Sequence, residues 1–183
     1  MKNACLLALG LLAVALVPQA GARQSHVTHR VPVADPVVMH QLLSQIAVHR
    51  DETWRWQRLM FHPRTPYNGS VRRNRSLAYR RWVRNLWRRR AVVAKRLALN
   101  PPHKHQWLCI HHYEGAWRDP NAPYYGGLQM DLEFQSTYGR TLLRHKGTAD
   151  HWSPVEQMWV AERAYKTRGF YPWPNTARWC GLI

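Results

Sequence analysis

His103-Lys-His-Gln-Trp107-Leu-Cys109-Ile110-His-His-Tyr113-Glu114-Gly115-Ala116-Trp117 decides how this chain is read. Trp107, Ile110 and Glu114 are spaced three and four apart, so a helix over 103–115 carries two large apolar side chains and one carboxyl on a single face. Cys109 and Tyr113, four apart, share another face. Downstream, Pro123-Tyr124-Tyr125-Gly126-Gly127-Leu128-Gln129 sets two glycines among aromatics and one amide. The glycines permit a tight turn or a close backbone approach to a ligand, and the rings and Gln129 read as the wall and hook of a sugar cleft. Further on, Ser153-Pro154-Val155-Glu156 is a helix start: Ser at the N-cap, Pro at the first position, Glu at N3 completing a capping box. That helix is predicted to run to about Arg168, with Gly169 free to take the left-handed conformation that ends it.

Upstream of the Pro101-Pro102 break the composition changes. The chain holds 27 Lys plus Arg against 10 Asp plus Glu in 183 residues, a formal charge of +17. Residues 23–106 carry 18 of the cations and 3 of the carboxylates; residues 107–183 carry 8 and 7. Such a balance excludes an acidic enzyme and calls for polyanionic partners or anionic surfaces. With 45% apolar residues the chain can bury a core, which excludes full disorder, and its length excludes a multi-domain machine. Residues 23–36 read as an exposed lead-in. Met39, Leu42, Ile46 and Met60 fit a helix over 37–61, broken by His62-Pro63 and by Thr65-Pro66-Tyr67-Asn68-Gly69. A second helix is predicted from about Ser70 to Leu99. Tyr79, Trp82, Leu86, Val93 and Leu97 form one stripe on it, set among arginines, and are expected to dock on the C-terminal half.

Residues 1–22 have the form of a secretory signal peptide: Lys2, an apolar run from Ala4 to Val17 too short for a membrane span, Pro18, and Ala20-Gly21-Ala22 for cleavage. Export is therefore expected, giving a secreted, cell-wall-associated protein. Cys5 would leave with the leader, and the two remaining cysteines, Cys109 and Cys180, most simply pair in an oxidising compartment. The bond would close a loop of about 70 residues and contribute about 2–4 kcal/mol. His105, Cys109 and His112 could meet a metal from one helix face, but pairing of Cys109 leaves two histidines, which do not close a site. No metal and no cofactor are expected. The basic region has three readings: a solvated face, a surface for anionic wall polymers or membrane headgroups, or a nucleic-acid binder. Export argues against the last.

The stretch from Trp107 to Trp117 resembles the catalytic-helix motif of the resuscitation-promoting factor domain, a small transglycosylase-like member of the lysozyme-like superfamily. Tyr124-Tyr125-Gly126-Gly127-Leu128-Gln129 is similar to that family's substrate loop. Glu156-Gln157 and Val160-Ala161-Glu162-Arg163 match its late helix, and Trp173-Pro174 its closing segment. The similarity covers roughly residues 105–182. Two departures accompany it: Tyr113 stands where the family usually has Cys, with Cys109 one turn earlier, and the segment after the acid is shortened to Glu114-Gly115-Ala116.

The resemblance implies an all-α, lysozyme-like domain over 103–183 that cleaves peptidoglycan glycan strands with Glu114 as acid and then base; the basic helical hairpin within 23–102 that precedes it is read from spacing and charge and has no counterpart in that family's domain. Cleaving a glycosidic bond needs a carboxyl that delivers a proton near neutral pH, and desolvation on an apolar face is one way to keep it there. Trp117, Tyr124, Tyr125, Gly127 and Gln129 are the expected substrate contacts. Anhydro-forming transglycosylation leads over hydrolysis, for which Asp119, Asp131 and Glu133 are the nearby second carboxylates. A non-catalytic wall-binding module is the alternative. Glu162 and Arg163 are expected as a helix-surface or packing pair.

Overall fold

A computed structural model describes residues 35–183; the signal-peptide reading and Cys5 lie outside them. The described residues are all-α: eight helices, with an isolated bridge between Tyr125 and Met130 as the one β-type pairing. None of these helices is long and apolar enough to cross a membrane.

Helix α1 (Pro36–Leu59) starts as Asp35 accepts from the Val37 N–H at 2.8 Å with Pro36 in the first turn. Met39, Leu42, Ile46 and, just past its end, Met60 are buried, as the spacing predicts. The chain after α1 folds back along it. Gln57 clasps Thr65 twice, donating to Oγ1 at 2.7 Å and accepting from its N–H at 2.9 Å, while the Trp54 indole donates to the Thr65 carbonyl.

The predicted helix over 70–99 is two helices, α2 (Ser70–Arg73) and α3 (Leu77–Ala98). Asn74 and Ser76 make the break. The Asn74 side chain accepts from the Ser76 N–H at 2.8 Å, and Ser76 caps α3 by accepting from Tyr79 N–H. Short polar side chains that bond to nearby backbone compete with the helix, and here they end one and begin another. Arg80 locks the break to α1. Only 5% exposed, its guanidinium donates to the carbonyls of Asn74, Arg72 and Met39 at 2.8, 3.1 and 3.2 Å.

The docking face of α3 also differs from the expectation. The buried positions are Arg80, Val83, Trp87, Ala91, Ala94 and Ala98; the face they form is turned to α1, and Ala98 alone of them also meets the C-terminal half. The expected stripe lies about one residue, or 100°, around the helix; Trp82 is 55%, Val93 46% and Leu97 50% exposed. The physical reason is that small alanines at 91, 94 and 98 leave room for a neighbouring helix, and at the middle of α3 Trp87 meets Trp54 of α1 edge-on at 6.2 Å. A row of alanines is a weak signal beside Trp, Leu and Val, so the sequence points to the wrong face.

The hairpin meets the C-terminal half end-on. Met60 and Ala98 form a small core with Trp159, whose indole donates to the Ala98 carbonyl at 2.7 Å. The remaining helices, α4 (Lys104–Glu114), α5 (Leu132–Tyr138), α6 (Arg140–Lys146), α7 (Pro154–Arg168) and α8 (Pro174–Trp179), surround a core that includes Trp107, Ile110, Leu128, Trp152, Val160 and Trp173. The capping box that starts α7 forms as read, and Gly169 ends that helix at φ +57°. Glu162 and Arg163 do not form the surface pair expected of them. Glu162 turns into the core, where its carboxylate accepts from the His103 N–H and the Trp107 indole at 2.8 and 2.9 Å and meets His103 Nδ1 at 3.0 Å. Arg163 donates to the Tyr138 carbonyl and sits over the Phe61 ring. Glu162 thereby ties the start of α4 to α7.

Candidate active site

Glu114 is the last residue of α4, and three contacts hold α8 beside it. Cys109 and Cys180 are disulfide-bonded with their Cα atoms 6.0 Å apart. One turn further along, the rings of Tyr113 and Trp179 meet edge to face at 5.4 Å. Last, the buried Thr176 hydroxyl donates to Glu114 Oε1 at 2.7 Å. These partners run in opposite directions along the two helices, so the disulfide seats α8 in the register that delivers Thr176 to the carboxyl. One oxygen of Glu114 is thus engaged by a donor and the carboxyl's orientation is fixed. Tyr113 and Trp179 are 48% and 64% exposed, an aromatic ledge next to the acid.

The glycine loop lies against the same end of α4. A Cβ at Gly115 would stand 3.4 Å from Gln129 Nε2 and 3.6 Å from Asp119 Oδ2. Gln129 adopts a left-handed φ of +46°, which costs a non-glycine residue about 1–3 kcal/mol. Its surroundings hold it there: its backbone N–H donates to the Gly126 carbonyl, and its amide donates to that carbonyl at 3.0 Å and to Asp119 Oδ2 at 2.9 Å. Asp119 is fixed in turn. The Asn121 backbone N–H, then the Gln129 amide, keep its carboxyl below the usual carboxylate range, so it is an anion.

Behind the loop is Gln157, fully buried. Its Oε1 accepts from the Gly127 N–H at 2.9 Å, and its Nε2 donates to the carbonyls of Trp117 and Ala149, each at 2.8 Å. The glycines make room for this. A Cβ on Gly126 would lie 2.6 Å from Gln157 Oε1, and one on Gly127 would lie 2.6 Å from His111 Nδ1 and 2.7 Å from the Trp117 ring. His111 stacks on Trp117 at 3.9 Å and its Nδ1 is 3.1 Å from the Gly127 carbonyl. Since a carbonyl only accepts, Nδ1 carries the proton.

A cleft of about 370 Å³ opens on the far side of Gln129, lined among others by Tyr124, Asp131, Glu133, Tyr138, Arg168 and Trp173. Of the expected substrate contacts Tyr124 and Gln129 line this cleft, together with Asp131 and Glu133, the carboxylates named for hydrolysis, and Tyr124 is half exposed. Glu114 does not line it; Gln129 does, and its amide lies against Gly115, the residue after the acid. Trp117, Tyr125 and Gly127 sit behind the surface: Trp117 and Tyr125 pack on the core, and Gly127 is buried. Asp131 caps α5 through the Phe134 N–H, and Glu133 is exposed on that helix. Cys109 is committed to the disulfide, which takes its sulfur out of any set with His105 and His112.

Sequence reasoning missed Thr176, the ledge residue Trp179 and the bracket Gln157. Thr176 lies 62 positions from Glu114, and no local pattern connects them; the one available signal is that Cys180, four residues on, is predicted to bond one turn before Glu114. No family model, curated protein or solved structure matches this chain.

Proposed function

We propose that this chain cleaves the glycan strands of peptidoglycan outside the cytoplasm, as a lytic transglycosylase in which Glu114 is the sole acid and base. The observation that carries this reading is the Thr176 hydroxyl on Glu114 Oε1. It orients the carboxyl and leaves Oε2 for a proton. The glycosidic C1–O bond breaks as Glu114 gives that proton to the leaving oxygen. The 6-hydroxyl of the same sugar then bonds to C1, and its proton returns to Glu114. No water is consumed, so the product is an anhydro sugar. Gln129, held in a strained turn beside the acid, and the Tyr113–Trp179 ledge supply an amide and exposed ring faces of the kind that receive sugars. The similarity to resuscitation-promoting factor domains over residues 105–182 supports the substrate class.

The test is release of muropeptides from purified walls by the wild type and by Glu114→Gln, with products read by mass. The expected result is release by the wild type, a drop of about 10²–10⁴ in the variant, and products one water lighter than hydrolytic ones. Products of hydrolytic mass make the enzyme a muramidase-type glycosidase. Wall binding without release by either protein replaces the enzyme with a binding module, and release by both removes Glu114 from its role.

A further inference from the structure

Within the stripe Tyr79 packs on the edge of the hairpin core, whereas Trp82, Leu86, Val93 and Leu97 belong to no core of the described residues. Tyr79 and Trp82 stack at 5.9 Å, and Trp82, Val93 and Leu97 are about half exposed or more. Leu86, Val93 and Leu97 continue into a groove of about 310 Å³ shared with Met60 of the α1 end. The surroundings are cationic. Arg89 and Arg90 line the same groove, and Arg72, Arg73, Arg81, Arg88 and Arg96 are exposed along α2 and α3. Neither helix contains a carboxylate, and among the described residues no ion pair engages any of these arginines.

Two properties must be met by one partner: negative charge for the arginines, and an apolar phase for Trp82, Val93 and Leu97. A phosphodiester wall polymer supplies the first and leaves the stripe in water; a nucleic acid can stack bases on Trp82 but leaves the aliphatic Val93 and Leu97 uncovered. An anionic bilayer surface supplies both, with lipid phosphates for the guanidiniums and the acyl boundary for the rings and branched chains. We propose that α3 lies in the headgroup region of an anionic phospholipid membrane, its exposed stripe turned into the lipid and Arg89 and Arg96, which flank that stripe on the helix, on phosphates. The contact is interfacial, because α3 is too polar to cross.

The test is vesicle co-sedimentation with the chain from Arg23 onward, which keeps every described residue and removes the apolar leader. Vesicles of phosphatidylglycerol mixed with phosphatidylcholine are compared with phosphatidylcholine alone. Two variants change exposed positions only: Trp82→Ser with Val93→Ser and Leu97→Ser, and Arg89→Gln with Arg96→Gln. Circular dichroism melts verify that both are folded. Expected are binding to the anionic vesicles alone, a loss on the order of thirtyfold at low salt for the arginine variant, and about tenfold or more for the stripe variant. Absence of vesicle binding overturns the proposal. So does binding that the stripe variant leaves unchanged, which assigns the arginines to a polyanion in water. A self-association in sedimentation equilibrium that the stripe variant abolishes, without lipid binding, assigns the stripe to a second copy. Wall cleavage enters none of these readouts.

Discussion

In the hairpin Arg80 is a buried charge met by three backbone carbonyls; in the C-terminal half Glu162 is a buried charge met by an amide N–H, an indole N–H and an imidazole nitrogen. Neither relies on an ion pair with a charged aliphatic side chain, and each fastens a helix start to a distant segment. Beyond that likeness the two regions diverge. Along most of its seam the hairpin is held by alanines and Trp87, with Arg80 at one end and the Gln57–Thr65 clasp among its directed bonds, none of them to a carboxyl. The C-terminal half is held by directed bonds, with Gln157, Glu162, Thr176 and Gln129 each committed to named partners. A region built on packing leaves its outer face free to carry charge and apolar surface. A region built on directed bonds fixes a carboxyl and a loop relative to each other, which is what a reaction needs.

Trp87→Ala offers the severest trial of this contrast. Removing the indole from the seam should cost about 3–5 kcal/mol in denaturant unfolding, while folded variant still releases muropeptides at the wild-type rate. A folded variant that has lost release would tie the seam to the site and end the distinction. Thr176→Val tests the other region. The change is nearly isosteric and removes one hydrogen bond to a carboxylate, a contribution to stability of about 1.5–3 kcal/mol, so the melting temperature should fall by several degrees, and folded variant with a misplaced carboxyl should release muropeptides up to roughly a hundredfold more slowly. Thr176→Ser should restore most of it; equal rates in the valine and serine variants would make Thr176 a packing residue.

Glu156 gives the smallest effect. Half-burial alone would raise its carboxyl, yet the Lys146 ammonium at 2.6 and 2.8 Å and the Ser153 backbone and hydroxyl together hold it below its ordinary value. Its stabilising contribution is present above the unfolded carboxyl's range and is lost as pH falls through the lower folded value. Glu156→Gln should therefore be less stable than the wild type at neutral pH, by under about 1 kcal/mol, and the two unfolding curves should converge in acid. Parallel curves across the acid range would refute the assignment.

Legibility in the sequence follows how far each determinant reaches. The start of α7 was legible because Ser153, Pro154 and Glu156 act within one turn, and α4 because Trp107 and Ile110 dominate its face. The hairpin itself was legible from its prolines and Asn68-Gly69. Its seam was not, since Ala91, Ala94 and Ala98 carry little apolar contrast and the larger residues one step round the helix outweigh them. Nor was the break at Asn74, whose signal is a single amide. At the site, Glu114 and the two glycines stood out, while Thr176 and Gln157 act across separations of 62 and 30 residues that no window of sequence spans.

Gln157 has a further consequence, one of arithmetic. A single amide bonds the Trp117 carbonyl, the Gly127 N–H and the Ala149 carbonyl, so three segments share one fastening. Once it is lost, disturbing any of the three a second time removes nothing more from it. Damage at these positions is therefore sub-additive. The loop, the turn before it and the segment after α6 behave as one cooperative element, tolerant of a second lesion only because the first has already released all three.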